Sequence, residues 1–188
     1  MLTTFQTAST NDAKVRRLLP SGILDPSFSG DGVMTFRFSV AEDSDSYHSL
    51  AIDSQDRVVI GGSQDQSIGS DSNFALARIT TAGLLDTTFD GDGIASYDLS
   101  IGAGGGVVDQ IERVLIQPDG LIIGVGQAET GGFDLDVAML RVNTNGSKDN
   151  SFGLLGEVRQ DVNNRNNLAF DATLDSSGRI LVVGDCFD

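Results

Sequence analysis

Short runs of apolar residues alternate with clusters of glycine, aspartate and asparagine along the chain. In the middle of the sequence, four such runs are rich in valine, isoleucine or leucine at alternating positions. Alternation with a period of two is typical of β-strands, and it predicts strands over approximately 73–80, 94–99, 109–116 and 121–127. No window has a convincing helical period, and the nearest, DQIERVLI (109–116), is short and has no cap. The pattern therefore predicts an all-β chain.

This pattern occurs three times. When Arg17, Arg78 and Arg141 are aligned, glycine follows after five residues, aspartate after eight, phenylalanine after eleven and a second glycine after fifteen. The aligned residues are Gly22, Gly83 and Gly146; Asp25, Asp86 and Asp149; Phe28, Phe89 and Phe152; and Gly32, Gly93 and Gly156. Five positions that keep the same residue and one register in three copies indicate a repeat architecture.

The second half of each repeat follows one plan with looser spacing. The segments AIDSQDRVVIGG (51–62), LIQPDGLIIGVG (115–126) and TLDSSGRILVVG (173–184) each combine an apolar strand, a polar turn and a β-branched strand that ends in glycine. Four strands per repeat predict a single repeat domain over 1–188, with blade-like units at approximately 14–72, 73–134 and 135–188. The expected fold is a β-propeller type with three four-stranded antiparallel blades.

The motif FALARITTAGLLDTTFDGDG (74–93), followed by IQPDGLIIGVG (116–126), resembles the delta-60 repeat, a bacterial β-propeller repeat of uncharacterised function. The resemblance extends from about Val15 to Gly184, and the third copy departs from it at Leu154 and Leu155, where a polar pair is usual. It implies propeller blades in large bacterial proteins that are often secreted or attached to the cell surface. It therefore implies an extracellular or cell-envelope location, and it implies no catalytic residues.

Charge narrows the range of partners. The chain has 12 lysines and arginines against 27 aspartates and glutamates, which gives a formal net charge of −15. Nucleic acids and anionic membranes require a basic footprint, so neither is an expected partner. No apolar run approaches the ~20 residues that span a bilayer. The segment MLTTFQTASTNDAKVRR (1–17) has no apolar signal core, so no export signal is visible.

Cys186 is the only cysteine and His48 the only histidine. An intrachain disulfide and a thiolate metal cluster are thus excluded, as are most zinc sites and catalytic triads. A nucleophilic cysteine needs an activating base, so we predict no catalytic role for Cys186. The expectation is that the protein is not an enzyme.

The acidic motif DTTFDGDG (86–93) raises the question of calcium. Measured against a calcium-binding loop that starts at Asp86, Asp90 and Gly91 fill positions five and six, but Thr88 and Tyr97 replace the ligands at positions three and twelve. The other copies have serine or glycine in place of Asp90. The favoured interpretation is structural: the glycines supply positive φ angles, Phe89 fills the core, and Arg78 pairs with Asp86 in a bidentate manner. The alternatives are a calcium site formed by Asp86, Asp90 and Asp92, or a ring of arginine–aspartate pairs that lines a channel.

Five polar segments do not repeat, and they are candidates for binding because loops on a rigid scaffold often carry function. They are residues 41–46, 63–72, 100–108, 127–134 and 162–167. The alternative is that they are solvated connectors. The glycine-rich stretch SIGAGGG (100–106) is not a phosphate-binding loop, because neither Lys-Ser/Thr nor a predicted helix follows it.

Three blades fall short of the four to eight that close a propeller. Either the chain is part of a longer protein, or two copies associate head to tail into six blades. The predicted function is a non-catalytic scaffold or a binding module for a protein or carbohydrate ligand. The alternative is a calcium-dependent hydrolase or other enzyme with a site in the propeller channel, which would require titratable side chains to converge from several blades. No other cofactor is expected.

Overall fold

The computed structural model describes residues 12–39, 45–66, 71–99, 108–130 and 134–187. These residues contain twelve β-strands. The strands are β1 (Ala13–Arg16), β2 (Val33–Phe36), β3 (Ser46–Ile52), β4 (Val58–Asp65), β5 (Ser72–Ile79), β6 (Ile94–Tyr97), β7 (Gln110–Ile116), β8 (Ile122–Glu129), β9 (Leu135–Val142), β10 (Glu157–Gln160), β11 (Asn166–Leu174) and β12 (Ile180–Phe187). The all-β prediction is confirmed for the described residues. A search of the same residues finds no helix long and apolar enough to cross a membrane.

The strands form two complete four-stranded antiparallel sheets and two sheets of two strands. Blade 1 is β3-β4-β5-β6, and blade 2 runs from β7 to β10 in the same order. The leading half-blade is β1-β2, and the trailing half-blade is β11-β12. Among the described strands, none of these sheets closes on itself.

The prediction of three four-stranded blades is therefore wrong. The strands in the middle of the chain lie where the pattern predicts them, at β5 to β8, but the first two belong to blade 1 and the last two to blade 2. The reason is that the strand that contains the repeated arginine is the third strand of its sheet, as β5 with Arg78 and β9 with Arg141 show. Each sequence repeat thus supplies the last two strands of one sheet and the first two strands of the next.

A bulge in each of β3, β7 and β11 explains why the strand that follows it carries a glycine at the same place. The register shifts between Tyr47 and Ser49 in β3, and at the matching places in β7 and β11. Gly62, Gly126 and Gly184 lie opposite these bulges. A Cβ at Gly126 would lie 1.8 Å from the carbonyl oxygen of Gln110, so only glycine fits.

Three apolar clusters join consecutive sheets in chain order. Phe36 of the leading half-blade and Ile60 of blade 1 belong to one cluster, and Leu76 of blade 1 and Val114 of blade 2 belong to the next. Val125 of blade 2 and Ala172 of the trailing half-blade belong to the third. Because β8 lies between two neighbours, all eight of its residues are buried, whereas none of the eight residues of β12 is.

Candidate functional site

The repeated arginine and aspartate form an ion pair in all three copies. The arginine Nε lies 2.7 Å from the aspartate Oδ2 in the Arg78–Asp86 pair, 2.9 Å in the first copy and 2.8 Å in the third. The predicted Arg78–Asp86 pair is present, but its predicted bidentate geometry is not. The second donor of Arg78, Nη2, bonds to the hydroxyl of Thr88 at 2.8 Å, so the guanidinium is shared between two side chains.

The repeated phenylalanine lies beneath the guanidinium. The arginine Cζ is 4.8, 4.9 and 4.6 Å from the ring centroids of Phe28, Phe89 and Phe152, which is within the range of a cation–π contact. Phe28 and Phe89 are buried, as predicted for Phe89, while Phe152 is partly exposed. The arginine is therefore held from below by an aromatic face and from the side by a carboxylate.

The same arginine also connects one sheet to the next. Nη1 of Arg17 donates to the carbonyl oxygen of Thr81 at 2.6 Å, and Nη1 of Arg78 donates to that of Thr144. A parallel backbone hydrogen bond joins Asp90 N to Asn145 O at 2.9 Å. Since Arg78 is buried, the arginine–aspartate pairs act as braces between sheets, and the alternative of a channel-lining ring does not describe this copy.

The pKa shifts of the paired residues agree with a structural role for the arginine–aspartate pairs. Burial alone would raise the pKa of Asp86, but hydrogen bonds from Thr88 and the charge of Arg78 outweigh it and hold the pKa below its usual value. Hydrogen bonds from Ser27 and Ser151 likewise lower the pKa of Asp25 and Asp149. Burial and the nearby positive charge of Arg57 lower the pKa of Arg78.

The three carboxylates considered for calcium have separate roles. Asp86 is in the ion pair with Arg78, and Asp92 Oδ1 accepts a hydrogen bond from the Ile94 N–H at 2.9 Å. Asp90 has a φ of 51°, and burial followed by the charge of Asp92 raises its pKa. Within the described ranges, no group of three or more histidine, cysteine, aspartate or glutamate side chains is placed to hold a metal ion.

The other candidate residues are dispersed. His48 Nδ1 lies 3.1 Å from Glu112 Oε2, and the exposed Cys186 thiol donates to the carbonyl oxygen of Val162 at 3.4 Å. Of the variable segments, residues 41–44, 67–70, 100–107 and 131–133 lie outside the described residues. The segment 162–167 leads into β11 and contains Asn163 and Asn164 with positive φ. Binding by these loops stays a prediction.

Two clefts of about 450 Å³ lie at equivalent places between consecutive sheets. The cleft between blades 1 and 2 is polar and is lined by Arg78 and by Asp53 and Arg57, which belong to the turn between β3 and β4. There Arg57 bonds to Asp53 at 2.7 Å and to Asp86 at 3.3 Å. This cleft is bordered on one side by the turn that joins the first two strands of blade 1.

The second cleft lies beside β1, and it has no such pair of strands among the described residues. Its lining includes Val15 and Phe28 from the leading half-blade and Leu50, Ile52 and Val58 from blade 1. Leu50 and Ile52 are 56% and 54% exposed, while their equivalents in blade 2, Val114 and Ile116, are buried and partly buried respectively. Sequence reasoning missed this apolar cleft, because it follows from the grouping of strands into sheets.

A family model described as "Domain of unknown function (DUF5122) beta-propeller" matches residues 3–28, 56–89 and 117–152, slightly more than half of the chain. The chain belongs to this family. Each matched segment ends at the phenylalanine beneath the arginine, and the second and third contain the strand pairs β4-β5 and β8-β9. Each matched segment thus contains one of the three arginine–aspartate pairs. No match to the chain was found among curated proteins.

Proposed function

We propose that this chain is a non-catalytic propeller scaffold that binds an extended protein segment along the open edge of β1. The apolar cleft beside β1, with Leu50 and Ile52 exposed on its floor, is the observation that carries the proposal. We assign the repeats to the delta-60 type and the module to a bacterial secreted or envelope protein. That setting rests on the sequence resemblance.

The scaffold role is supported by how the repeated polar residues are used. Arg78 contacts the side chains of Asp86 and Thr88 in its own sheet and a backbone carbonyl of the next sheet. The same set of contacts recurs at Arg17. Groups that are committed to holding sheets together stabilise the arrangement on which a binding surface depends.

The binding role is supported by the chemistry of the cleft. β1 pairs only with β2 among the described strands, so its other edge offers backbone N–H and C=O groups to a further strand. Addition of a strand to such an edge gives affinity through the main chain, and side-chain pockets give specificity. Leu50, Ile52 and Val58 supply an apolar pocket for the alternate side chains of the added strand.

Fluorescence anisotropy with a labelled peptide tests the proposal. The peptide has the sequence of Leu121–Glu129, because β8 is the strand that pairs with the equivalent of β1 in blade 2. Saturable binding is expected, together with its loss in Leu50→Asp and its retention in Leu84→Asp, which changes an apolar residue of similar exposure elsewhere. Equal binding of a scrambled peptide would overturn the proposal, as would the absence of any binding by a chain that is monomeric under the conditions of the measurement.

A further inference from the structure

We infer that the segment that fills this cleft is β12 of a second copy of the chain, so that β11-β12 of one copy and β1-β2 of another form one four-stranded blade. This inference rests on the proposed function and names its partner. The two half-blades are complementary, because the trailing one has the first two strands of a blade and the leading one has the last two. Pairing at both ends joins two copies into six blades.

The register of the new pairing follows from the two complete blades. Gly62 of β4 pairs with Ala75, and Gly126 of β8 pairs with Ala138; each alanine stands three residues before the repeated arginine. The equivalent glycine of β12 is Gly184, and the residue three before Arg17 is Lys14. Gly184 of one copy therefore pairs with Lys14 of the other, which places Val183 opposite Val15 and Leu181 opposite Arg17.

The exposed side chains of β12 fit this register. Leu181 and Val183 are 51% and 63% exposed, whereas the equivalent Ile123 and Val125 of β8 are fully buried. In blade 1 the equivalent of Leu181 is Val59, which lies in one apolar cluster with Val114 of the next sheet. Leu181 of one copy would accordingly cover Leu50 of the other, since Leu50 is the equivalent of Val114.

The turn before β12 has the same polar residues as the turn that lines the cleft between blades 1 and 2. Asp175 and Arg179 are the equivalents of Asp53 and Arg57, and they form the same ion pair, at 2.5 Å. Arg57 also reaches Asp86, and the residue equivalent to Asp86 beside the open cleft is Asp25. The exposed Arg179 of one copy would thus bond to Asp25 of the other, next to Arg17.

The space around Gly22 points to the same arrangement. An added Cβ at Gly83 would lie 2.6 Å from Ser29 N, and one at Gly146 would lie 3.2 Å from Asp90 N, because the preceding sheet packs there. At Gly22 no described atom lies within 4 Å. The equivalent of Ser29 and Asp90 in blade 2 is Gly153. Blade 2 of the second copy would fill the space, with Gly153 N donating to the carbonyl oxygen of Ser21.

Sedimentation velocity at micromolar concentration tests the inference with the full chain. The wild type should sediment as a dimer, Leu181→Asp as a monomer, and Leu84→Asp as a dimer. Both substituted leucines are more than half exposed in the single copy, so neither change should unfold it. A monomeric wild type would overturn the inference, and binding of the β8 peptide by that monomer would leave the proposed function standing.

A disulfide between copies tests the register. In a Cys186→Ser background, Val15→Cys with Val183→Cys places the two thiols opposite each other across the new strand pair, within the range of disulfide geometry. Oxidation should give a covalent dimer on a non-reducing gel. Arg16→Cys with Val183→Cys is the control, because side chains of neighbouring residues point to opposite faces of a sheet. Equal cross-linking of the control, or cross-linking of Val183→Cys alone to the same extent, would overturn the register.

Discussion

At the scale of single residues, Phe89 tests how much the brace contributes to stability. Its ring is fully buried beneath Arg78, so Phe89→Ala should cost about 3–5 kcal/mol of the free energy of unfolding. Phe152→Ala should cost less, because the equivalent ring is partly exposed. Denaturant unfolding of the two variants measures the difference. Equal losses, or a loss below ~0.5 kcal/mol for Phe89→Ala, would contradict this account.

Asp86 and Asp90 should affect the pH dependence of stability in opposite directions. The pKa of Asp86 is lowered in the folded state, so its stabilising contribution is present above the unfolded value of about 3.9 and is lost as the pH falls toward the folded value. Asp86→Asn should therefore be destabilising at pH 6, and its cost should shrink at pH 3. The measurement is urea unfolding at both values.

Asp90→Asn is the matched control for this prediction. Burial and the charge of Asp92 raise the pKa of Asp90, so ionisation of Asp90 disfavours the folded state. Asparagine also tolerates the positive φ at this position. Asp90→Asn should stabilise the protein at pH 6, with a gain that declines as the pH falls. Identical pH dependence of the two variants would contradict the opposite directions of the two pKa shifts.

At the scale of elements, the bulges in β3, β7 and β11 depend on the glycines opposite them. Gly126→Ala places a Cβ against the carbonyl oxygen of Gln110, so the bulge must rearrange. We expect a cost at the upper end of the ~1–3 kcal/mol typical of overpacking. Gly178→Ala should cost less, since its φ of 77° is strained for alanine but no described atom lies within 4 Å. Thermal unfolding compares them, and a smaller effect at Gly126 would rule out the steric explanation.

The strands were predictable, and their grouping into sheets was not. Alternating apolar positions and turn residues are local signals, and they place β5, β6, β7 and β8 within one or two residues of where the structure has them. Which strands share a sheet is decided by the segments between them. The connections through 41–46, 100–108 and 162–167 lead from one sheet to the next, whereas 63–72 and 127–134 connect strands of one sheet. All five are polar and variable, so the sequence does not distinguish them.

The candidate site was only partly predictable for the same reason. The arginine–aspartate pair and the buried Phe89 follow from residues that repeat in register, and both are present. The bond from Arg78 to Thr144 connects two different sheets and cannot be read from spacing within one repeat. The open cleft beside β1 depends on which half of a blade each end of the described chain supplies.

At the scale of the whole molecule, Val183 is the tightest point of the proposed dimer. Gly61, Val125 and Val183 are equivalent positions. In the first two, the size of the residue is complementary to its neighbours in the next sheet: Gly61 lies against the large Val114 and Ile111, and Val125 packs with two alanines. In the dimer, Val183 would meet the larger equivalents Leu50 and Tyr47.

Relief of this crowding should strengthen association. Val183→Ala is expected to lower the dissociation constant of the dimer, whereas the neighbouring Leu181→Ala, which removes the side chain that covers Leu50, should raise it. Sedimentation equilibrium of the two variants gives both constants. If Val183→Ala weakened the dimer as much as Leu181→Ala, the side chains of β12 would not pack against β3 in the way proposed.

Salt should strengthen the association of two copies. Each copy has a formal net charge of −15, so pairing brings two strongly acidic bodies together, and their repulsion acts over a Debye length of about 30 Å at 0.01 M salt but about 10 Å at 0.1 M. The Arg179–Asp25 contact is attractive and is also screened, but it is a single short-range pair against the repulsion of the whole surface. The dimer fraction at fixed protein concentration, measured by light scattering, should therefore rise from 0.01 to about 0.1 M salt. Arg179→Gln should reduce the dimer fraction while keeping this upward trend. A wild-type dimer that dissociates as salt increases would show that the contact at Asp25 outweighs the net charge.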